Sequence, residues 1–326
     1  MPTDSAPPRR NAIRQWLTFG LSFVLSVVVL YFVFRRVDGR ILRQLFETQD
    51  RGLLIAAALL IVLQIILGGE RWRAILSALT RDRRPPALDV QAVYYASIFF
   101  NCLPVGTLGG DVARVLLARR FAVSVKQLVL SVLIDRIVMV AALVLLAALT
   151  LPAIAHPLAR DAWFTCIAIL IAGVVGFLLL EPIERILGRW RRWNLLQLVL
   201  HAAAELRYVG RGRGMLGLLY GVLSGASAAL AGYCIARSLK IDIGPVAIAA
   251  AMSLMSFAVA LPISAAGWGI REASLVTLLG LMGVDRSAAL LLSVEFGLLT
   301  TFLSLPGGVI WLALRGHRQT ADAIEV

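Results

Sequence analysis

The chain has 326 residues, of which 60% are hydrophobic, and its mean hydropathy is +0.85. Its apolar residues form runs of about twenty, the length that crosses a hydrocarbon core of about 30 Å, so a soluble globular protein is excluded. The formal net charge of +13 does not indicate a nucleic-acid-binding protein. The basic residues lie in short loops between apolar runs, where they set topology and meet anionic lipids.

Six apolar runs are predicted to cross the membrane. The first is too long for a signal-peptide core and has no small-residue cleavage site, so we expect it to be retained. In chain order the predicted spans are Arg14–Phe34, Gly52–Gly69, Lys126–Leu151, Ala162–Leu180, Met215–Arg237 and Arg286–Leu314. The three cysteines show no paired spacing, so we expect no disulfide framework, no metal site and no cofactor.

Two shorter apolar stretches, Val90–Leu103 and Val246–Leu261, each end at a Leu-Pro pair and continue into a glycine-rich segment. Helix-breaking backbone at membrane depth is tolerated only where protein or a water-filled cavity satisfies the freed polar groups. We therefore predict two re-entrant hairpins, over residues 90–120 and 246–281, with full spans as the alternative.

The distribution of Lys and Arg predicts the orientation. With a cytoplasmic N-terminus and hairpins that return to their side of entry, 21 of these residues lie on the cytoplasmic side and 10 on the outer side, with Arg136 inside a span. This bias matches the preference of basic residues for cytoplasmic loops. We predict a multi-pass protein of the cytoplasmic (inner) membrane with both termini in the cytoplasm.

The segment LPVGTLGGDVAR, Leu103–Arg114, matches LPISAAGWGIRE, Leu261–Glu272, at a constant offset of 158 residues. The two hairpins enter from opposite sides in the predicted topology, so the two halves form inverted repeats, as in many secondary transporters. The alternative is an accidental match between two Pro-Gly breaks. The predicted fold is an all-α polytopic membrane domain. It comprises an N-terminal span and interfacial segment (1–51), a first repeat (52–180), a cytoplasmic amphipathic segment (181–214) and a second repeat (215–314).

The motif residues of the two hairpins and the following spans form one combined pattern. They are Asn101, Pro104, Gly109, Gly110, Asp111, Arg114, Asp135, Arg136, Leu261, Pro262, Ser264, Gly267, Gly269, Arg271, Glu272, Gly283 and Val284. This pattern resembles the lysylphosphatidylglycerol synthase transmembrane-region family, also described as flippase-like, from about Trp16 to Leu314. The resemblance implies lipid translocation or lipid binding. Fused members also carry a soluble aminoacyl-transferase domain, which we expect this chain to lack. Where the family often has an arginine in the final span, this chain has Phe296 or Gly297, beside Glu295.

The first motif has the composition of an anion site. Gly109 and Gly110 would let the backbone turn and approach a ligand closely, and Asp111 is placed to cap a helix over Val112–Arg120. The free N–H groups at that helix start would attract an anion, and Arg114 would clamp a phosphate. The alternative is a capped turn with Arg114 at headgroup level.

The second motif repeats this logic with different polarity. Arg271 and Glu272 open a predicted helix that runs to Leu281, and the helix dipole favours an acid in its first turn. Arg271 would bind a lipid phosphate or pair with a carboxylate, the alternative being a salt bridge at the outer surface.

Charges inside spans are costly and therefore informative. Asp135 and Arg136 are adjacent and point about 100° apart on a helix, so we expect each to find a partner on another element. We predict a polar seam in which Arg136 binds a lipid phosphate or pairs with Glu295, and in which Asp135 or Glu295 is available for proton coupling. A buried structural ion pair is the alternative. Glu70–Arg73 is interpreted as a cytoplasmic interface anchor.

Three classes of function are consistent with these features. The first is a flippase or transporter for a lipid with an anionic headgroup. The second is a noncatalytic membrane subunit that presents a lipid to a separate glycosyl- or aminoacyl-transferase. The third is a lipid-modifying enzyme, which we do not expect because no nucleophile-base pair or metal set is found. The expected partners are membrane lipids, with a lipid-modifying enzyme or a second copy of the chain as further candidates. The candidate substrate-binding residues are Asn101, Pro104, Gly109, Gly110, Asp111, Arg114, Asp135, Arg136, Pro262, Ser264, Gly267, Gly269, Arg271, Glu272 and Glu295.

Overall fold

The computed structural model describes residues 49–80, 85–102, 107–154, 156–187, 203–210, 212, 214–260 and 269–314, and these form helices joined by short turns, with no strand among them. The predicted span Arg14–Phe34, the two Leu-Pro breaks and residues 261–268 lie outside the described residues. Pro104, Pro262, Ser264 and Gly267 are therefore not described. For the part of the chain that is described, the all-α prediction is confirmed.

Ten helices are found within the described ranges. They are α1 (Arg51–Leu79), α2 (Ala87–Asn101), α3 (Thr107–Ala118), α4 (Val125–Thr150), α5 (Pro157–Leu187), α6 (203–210), α7 (Gly214–Ser238), α8 (Pro245–Ala260), α9 (Ile270–Gly280) and α10 (Arg286–Ser304). Short 3₁₀ turns follow α3 and α4, at Arg119–Phe121 and Leu151–Ala153. The helical path of α10 resumes after Leu305 and reaches Leu314.

Five helices are long and apolar enough to cross a membrane: Arg51–Leu79, Val125–Ala153, Pro157–Pro182, Met215–Ser238 and Arg286–Leu314. They confirm the five predicted spans that fall on described residues. The predicted end of the second span at Gly69 is wrong, because α1 continues for ten residues to Leu79. Polar residues after Gly69 do not stop the helix, since Glu and Arg are good helix formers.

Helices α2 and α8 are 15 and 16 residues long. At 1.5 Å per residue they reach about 23 Å, less than a hydrocarbon core of about 30 Å. Helix α2 packs against α3, and α8 packs against α9. This arrangement is that of two helical hairpins, and their re-entrant course and their relation as inverted repeats stay predictions.

The centre of the bundle is built from α1, α4 and α7. Helix α7 runs antiparallel to α1, because the Ser224 hydroxyl donates to the carbonyl of Gln64 (3.1 Å) and the Ser227 hydroxyl donates to the carbonyl of Leu60 (2.8 Å). Close approach of α7 to α4 depends on Gly221, where a Cβ atom would lie 2.8 Å from the Ala142 Cβ.

These contacts define two ends of the bundle. At one end, which we call the Leu79 end, the side-chain amide of Gln127 donates to the carbonyl of Leu79 (3.3 Å), so α1 ends where α4 begins. At the other, the Asp50 end, Ser238 contacts the Asp50 carbonyl (3.5 Å), so α7 ends where α1 begins. The predicted topology assigns the Leu79 end to the cytoplasm.

Candidate functional site

Three charged side chains meet in the interior of the bundle and form what we call the central ion cluster: Arg71 of α1, Arg114 of α3 and Asp135 of α4. The Arg71 guanidinium donates from Nε to Asp135 Oδ1 (2.7 Å) and from a terminal nitrogen to Oδ2 (3.2 Å). Arg114 donates from a terminal nitrogen to Asp135 Oδ2 (2.8 Å). All three residues are buried, with exposed fractions of 3%, 4% and 3%.

The depth of the cluster follows from helix geometry. Arg71 lies eight residues before the end of α1 at Leu79, and Asp135 lies ten residues after the start of α4 at Val125. At 1.5 Å per residue, both side chains are rooted about 12 to 15 Å from the Leu79 end. The cluster is therefore inside the spanning helices but nearer to one membrane face.

Aromatic rings enclose Arg114. Its guanidinium lies over the rings of Tyr94 and Trp72, at 4.6 and 5.2 Å from their centroids. The Trp72 indole is fixed in turn, because its N–H donates to the Ser131 hydroxyl (3.1 Å). Weak hydration of a guanidinium and the negative face of an aromatic ring make such stacking favourable away from water. The Ser97 hydroxyl accepts a longer hydrogen bond from Arg114 Nε (3.4 Å).

The charges of the central ion cluster do not cancel. Two guanidiniums share one carboxylate, which leaves one excess positive charge among these three side chains. A buried charge without its own counterion is expensive, and a planar guanidinium fork matches carboxylate and phosphate oxygens equally well. The arrangement is suited to accepting one further anionic group.

Arg136 turns away from the central ion cluster. Its guanidinium pairs with Asp111 of α3 (2.9 Å), whereas Glu295 accepts a hydrogen bond from the side-chain amide of Gln49 (2.8 Å). The predicted pairing of Arg136 with Glu295 is therefore wrong. The expectation that Asp135 and Arg136 each find a partner on another element is confirmed, because adjacent helical side chains diverge and each pairs with residues outside α4.

The predicted role of Asp111 as a helix cap is also wrong. Helix α3 begins at Thr107, five residues before the predicted start at Val112, so Asp111 lies within the helix and its carboxylate is available to Arg136. The N–H groups that follow Asp111 belong to the helix interior and form no anion site.

Gly109 and Gly110 are helical and do not form the predicted turn. Gly110 permits close packing of α3 on α2. A Cβ atom at this position would lie 2.0 Å from Asn101 Oδ1 and 2.5 Å from the carbonyl oxygen of Ser97. The absence of a side chain at Gly110 therefore allows α2 and α3, the two helices that position Arg114, to pack closely.

The second motif forms the start of α9, as predicted. Gly269 precedes the helix with a φ of +91°, a backbone conformation that glycine adopts without strain. The Glu272 carboxylate accepts the Gly269 N–H and also pairs with Arg271 (3.0 Å). The Arg271 guanidinium covers Gly297 of α10, where a Cβ atom would lie 2.1 Å from a guanidinium nitrogen. Glycine at that place in the last span leaves room for an arginine from the second hairpin.

A model of one protein family matches residues 19–307, described as the lysylphosphatidylglycerol synthase TM region. The chain belongs to this family. No curated protein and no solved structure matches it. The matched range includes the central ion cluster, the Arg136–Asp111 pair and Glu295, so these charges lie within the family's membrane region, and the family connects the chain to lipid handling in a membrane.

Within this membrane region, the structure adds residues that the motifs did not indicate. Arg71 and Trp72, interpreted from the sequence as part of an interface anchor, are buried at 3% and 0% exposure. The interpretation of these two residues as an interface anchor is wrong. Helix α1 does not end at Gly69, and both side chains lie on the part of the helix that is buried in the core. Tyr94 and Gln49 were also missed. Two signals could have identified Arg71. The composition from Gly52 to Leu79 is helical without a break, and Asp135 inside a span requires a cationic partner.

Two further observations bound the chemistry of the site. Among the described residues, no group of three or more His, Cys, Asp or Glu side chains could hold a metal ion. Three buried side-chain oxygens near the motifs, Asn101 Oδ1, Asp111 Oδ1 and Ser293 Oγ, have no hydrogen-bond partner among the described residues. Buried polar atoms of this kind usually bind water or a ligand group.

Proposed function

We propose that this chain is a non-enzymatic lipid transporter that binds the anionic headgroup of a phospholipid or lipid-linked group and moves it across the cytoplasmic membrane. The observation that carries this proposal is the excess positive charge of the central ion cluster inside the spanning helices. Family membership supports lipids as the class of substrate. Ionisable groups at membrane depth commonly mark a transport pathway.

The cluster suggests how an anion would be accommodated. Arg114 is on the hairpin formed by α2 and α3, whereas its partner Asp135 is on the spanning helix α4. A small displacement of the hairpin would release Arg114 from Asp135 and let it bind a phosphate instead. Asp135 would remain neutralised, because Arg71 contacts both of its oxygens. Each charge keeps a partner during the exchange, which avoids the cost of a bare buried ion.

The central test is translocation by the purified protein in liposomes that contain a fluorescent phosphatidylglycerol. Dithionite added outside quenches only the outer leaflet, so transport increases the quenched fraction beyond that of protein-free liposomes. We expect transport by the wild type and a loss of at least tenfold in rate with Arg114→Gln. The matched control is Arg119→Gln, which removes an exposed charge five residues later and should leave the rate unchanged.

Folding has to be separated from function in this test. Arg114→Lys keeps the charge but loses the fork and the ring stacking, so we expect a folded protein with reduced transport. Transport equal to wild type in both Arg114 variants would refute the proposed role. Absence of translocation for every anionic lipid would refute transport itself. Stable co-purification with a transferase would then favour lipid presentation, and a chemically altered lipid would favour an enzyme.

Glu295 provides the proposed site for coupling to protons. It is 6% exposed on α10, and within the described part of the chain its carboxylate accepts a hydrogen bond from the Gln49 side-chain amide (2.8 Å). Glu295→Gln retains the shape and a carbonyl acceptor for Gln49, so we expect it to fold normally. If protons drive transport through Glu295, this variant loses acceleration by a pH gradient while keeping its rate without a gradient. An unchanged response to the gradient would exclude Glu295.

A further inference from the structure

A cavity with a mostly apolar lining lies far from the central ion cluster, at the Asp50 end of the bundle. It has a volume of about 440 Å³ and is formed where α4 ends and α5 begins. Its lining includes the apolar residues Leu151, Pro152 and Ile154 together with His156, Arg160 and Trp163. Known small-molecule sites have volumes from about 300 to 1,000 Å³. Sixteen residues of helical path separate Asp135 from Leu151, which corresponds to about 24 Å.

The charge of this cavity is positive. Arg160 is an exposed cationic side chain in the lining, and among the described residues no carboxylate contributes to it. Within the described ranges, the Arg160 side chain makes no ion pair, in contrast to Arg71, Arg114 and Arg136. An unpaired guanidinium facing a cavity favours an anionic ligand, and its fork suits phosphate oxygens.

The His156 ring can supply a hydrogen-bond donor to the cavity. Its Nδ1 accepts the backbone N–H of Leu158 (3.2 Å). An acceptor nitrogen carries a lone pair, so in the neutral ring the proton is on Nε2. The Nε2–H is then free to donate to an oxygen in the cavity, next to Arg160.

Trp163 gives the cavity a rigid apolar wall. Its indole N–H donates to the carbonyl of Ala148 (3.0 Å), and its ring contacts Phe164 edge to face at 5.0 Å between centroids. A fixed indole beside Leu151 and Ile154 suits the glycerol and upper acyl carbons of a lipid. Tryptophan is enriched at the depth of lipid headgroups, where one end is apolar and the other is wet.

We propose that this cavity binds the phosphate-bearing headgroup of an anionic phospholipid in the leaflet at the Asp50 end. Arg160 and His156 bind the phosphate oxygens, and Trp163 packs against the glycerol region. A zwitterionic lipid binds less well, because the described part of the lining has no carboxylate to pair with an ammonium group. The lipid class rests on the proposed function, but binding here requires no translocation, so the two proposals can fail separately.

The test is photo-crosslinking at a position beside the cavity. Leu158 is 53% exposed, between His156 and Arg160, and is replaced by p-benzoylphenylalanine in the full chain. The protein is reconstituted in vesicles that contain trace fluorescent phosphatidylglycerol or trace fluorescent phosphatidylcholine. We expect at least threefold more labelling by phosphatidylglycerol. Arg160→Gln should reduce this ratio to about one, as expected for loss of a charge-assisted hydrogen bond.

The matched control is Arg237→Gln, an exposed arginine in the last turn of α7 at the same end of the bundle. It should leave the ratio unchanged, and a similar loss in this variant would overturn the proposal in favour of general surface attraction. Equal labelling by both lipids in the wild type would also overturn it. Excess inorganic phosphate should not reduce labelling, and displacement by phosphate would assign the cavity to free phosphate instead of lipid. Folding is checked by the gel-filtration profile of each variant in detergent.

Discussion

Asp135→Asn is the substitution that most directly tests the charge arrangement in the core. It removes the carboxylate that both guanidiniums share and leaves Arg71 and Arg114 buried with two uncompensated positive charges. Removal of one partner from a buried ion pair costs about 3–5 kcal/mol, because the other charge stays desolvated. Arg114→Gln should cost less, because Asp135 keeps both contacts with Arg71. The expected order of stability is wild type, then Arg114→Gln, then Asp135→Asn.

Thermal unfolding in detergent, followed by the helical circular dichroism signal, measures this order. The control is Arg185→Gln, which breaks an i,i+4 pair with Glu181 in which the arginine side chain is 76% exposed. Such pairs contribute about 0–1 kcal/mol, so its melting temperature should stay close to wild type. The double variant of Asp135 and Arg114 should be more stable than additivity predicts. An Asp135→Asn protein as stable as the Arg185 control, or less perturbed than Arg114→Gln, would refute the reasoning.

Four further predictions concern packing and helix ends. Gly221→Ala places a Cβ atom 2.8 Å from that of Ala142 and should destabilise the protein by about 1–3 kcal/mol. Gly173→Ala, where an added Cβ would meet no described atom outside its own stretch of helix within 4 Å, should be neutral or stabilising by up to about 1 kcal/mol in the same thermal assay. Gly110→Ala should destabilise and also reduce transport, because it separates the two helices of the first hairpin; normal transport would contradict this. Backbone N–H donors lower the pKa of Asp285 below its ordinary value of 3.8 at the start of α10. The wild type should therefore be more stable than Asp285→Ala, with the full difference present above about pH 5 and lost as the pH falls through the lowered pKa. A stability difference that persists in acid would contradict the cap.

Family membership and the spans were predictable because both depend on patterns that are local in the sequence. Runs of about twenty apolar residues can satisfy their backbone in lipid only as helices, so all five spans on described residues were located. Four of them lie within about five residues of their observed bounds, whereas the second continues ten residues past Gly69. The start of α9 was predictable for the same reason, since Gly269 and Glu272 form a local helix-start signal. The polar residues of Glu70–Arg73 gave a misleading signal, because composition shows where a helix becomes polar and not where it ends.

The partners of the buried charges were not predictable from local patterns. Asp135 meets Arg71 and Arg114 across 64 and 21 residues of sequence. Those contacts depend on how each helix is rotated about its axis and on how closely the helices pack. Gly110 allows close packing of α3 on α2, and Gly221 allows close packing of α7 on α4. The sequence by itself determined that this is a membrane protein with costly charges inside its spans. Each apolar run favours insertion into the bilayer through its own composition, whatever its neighbours are. Only the tertiary structure decided that two arginines share one aspartate and that Arg136 belongs to Asp111, because ion pairing requires atoms of separate helices to meet within about 3 Å.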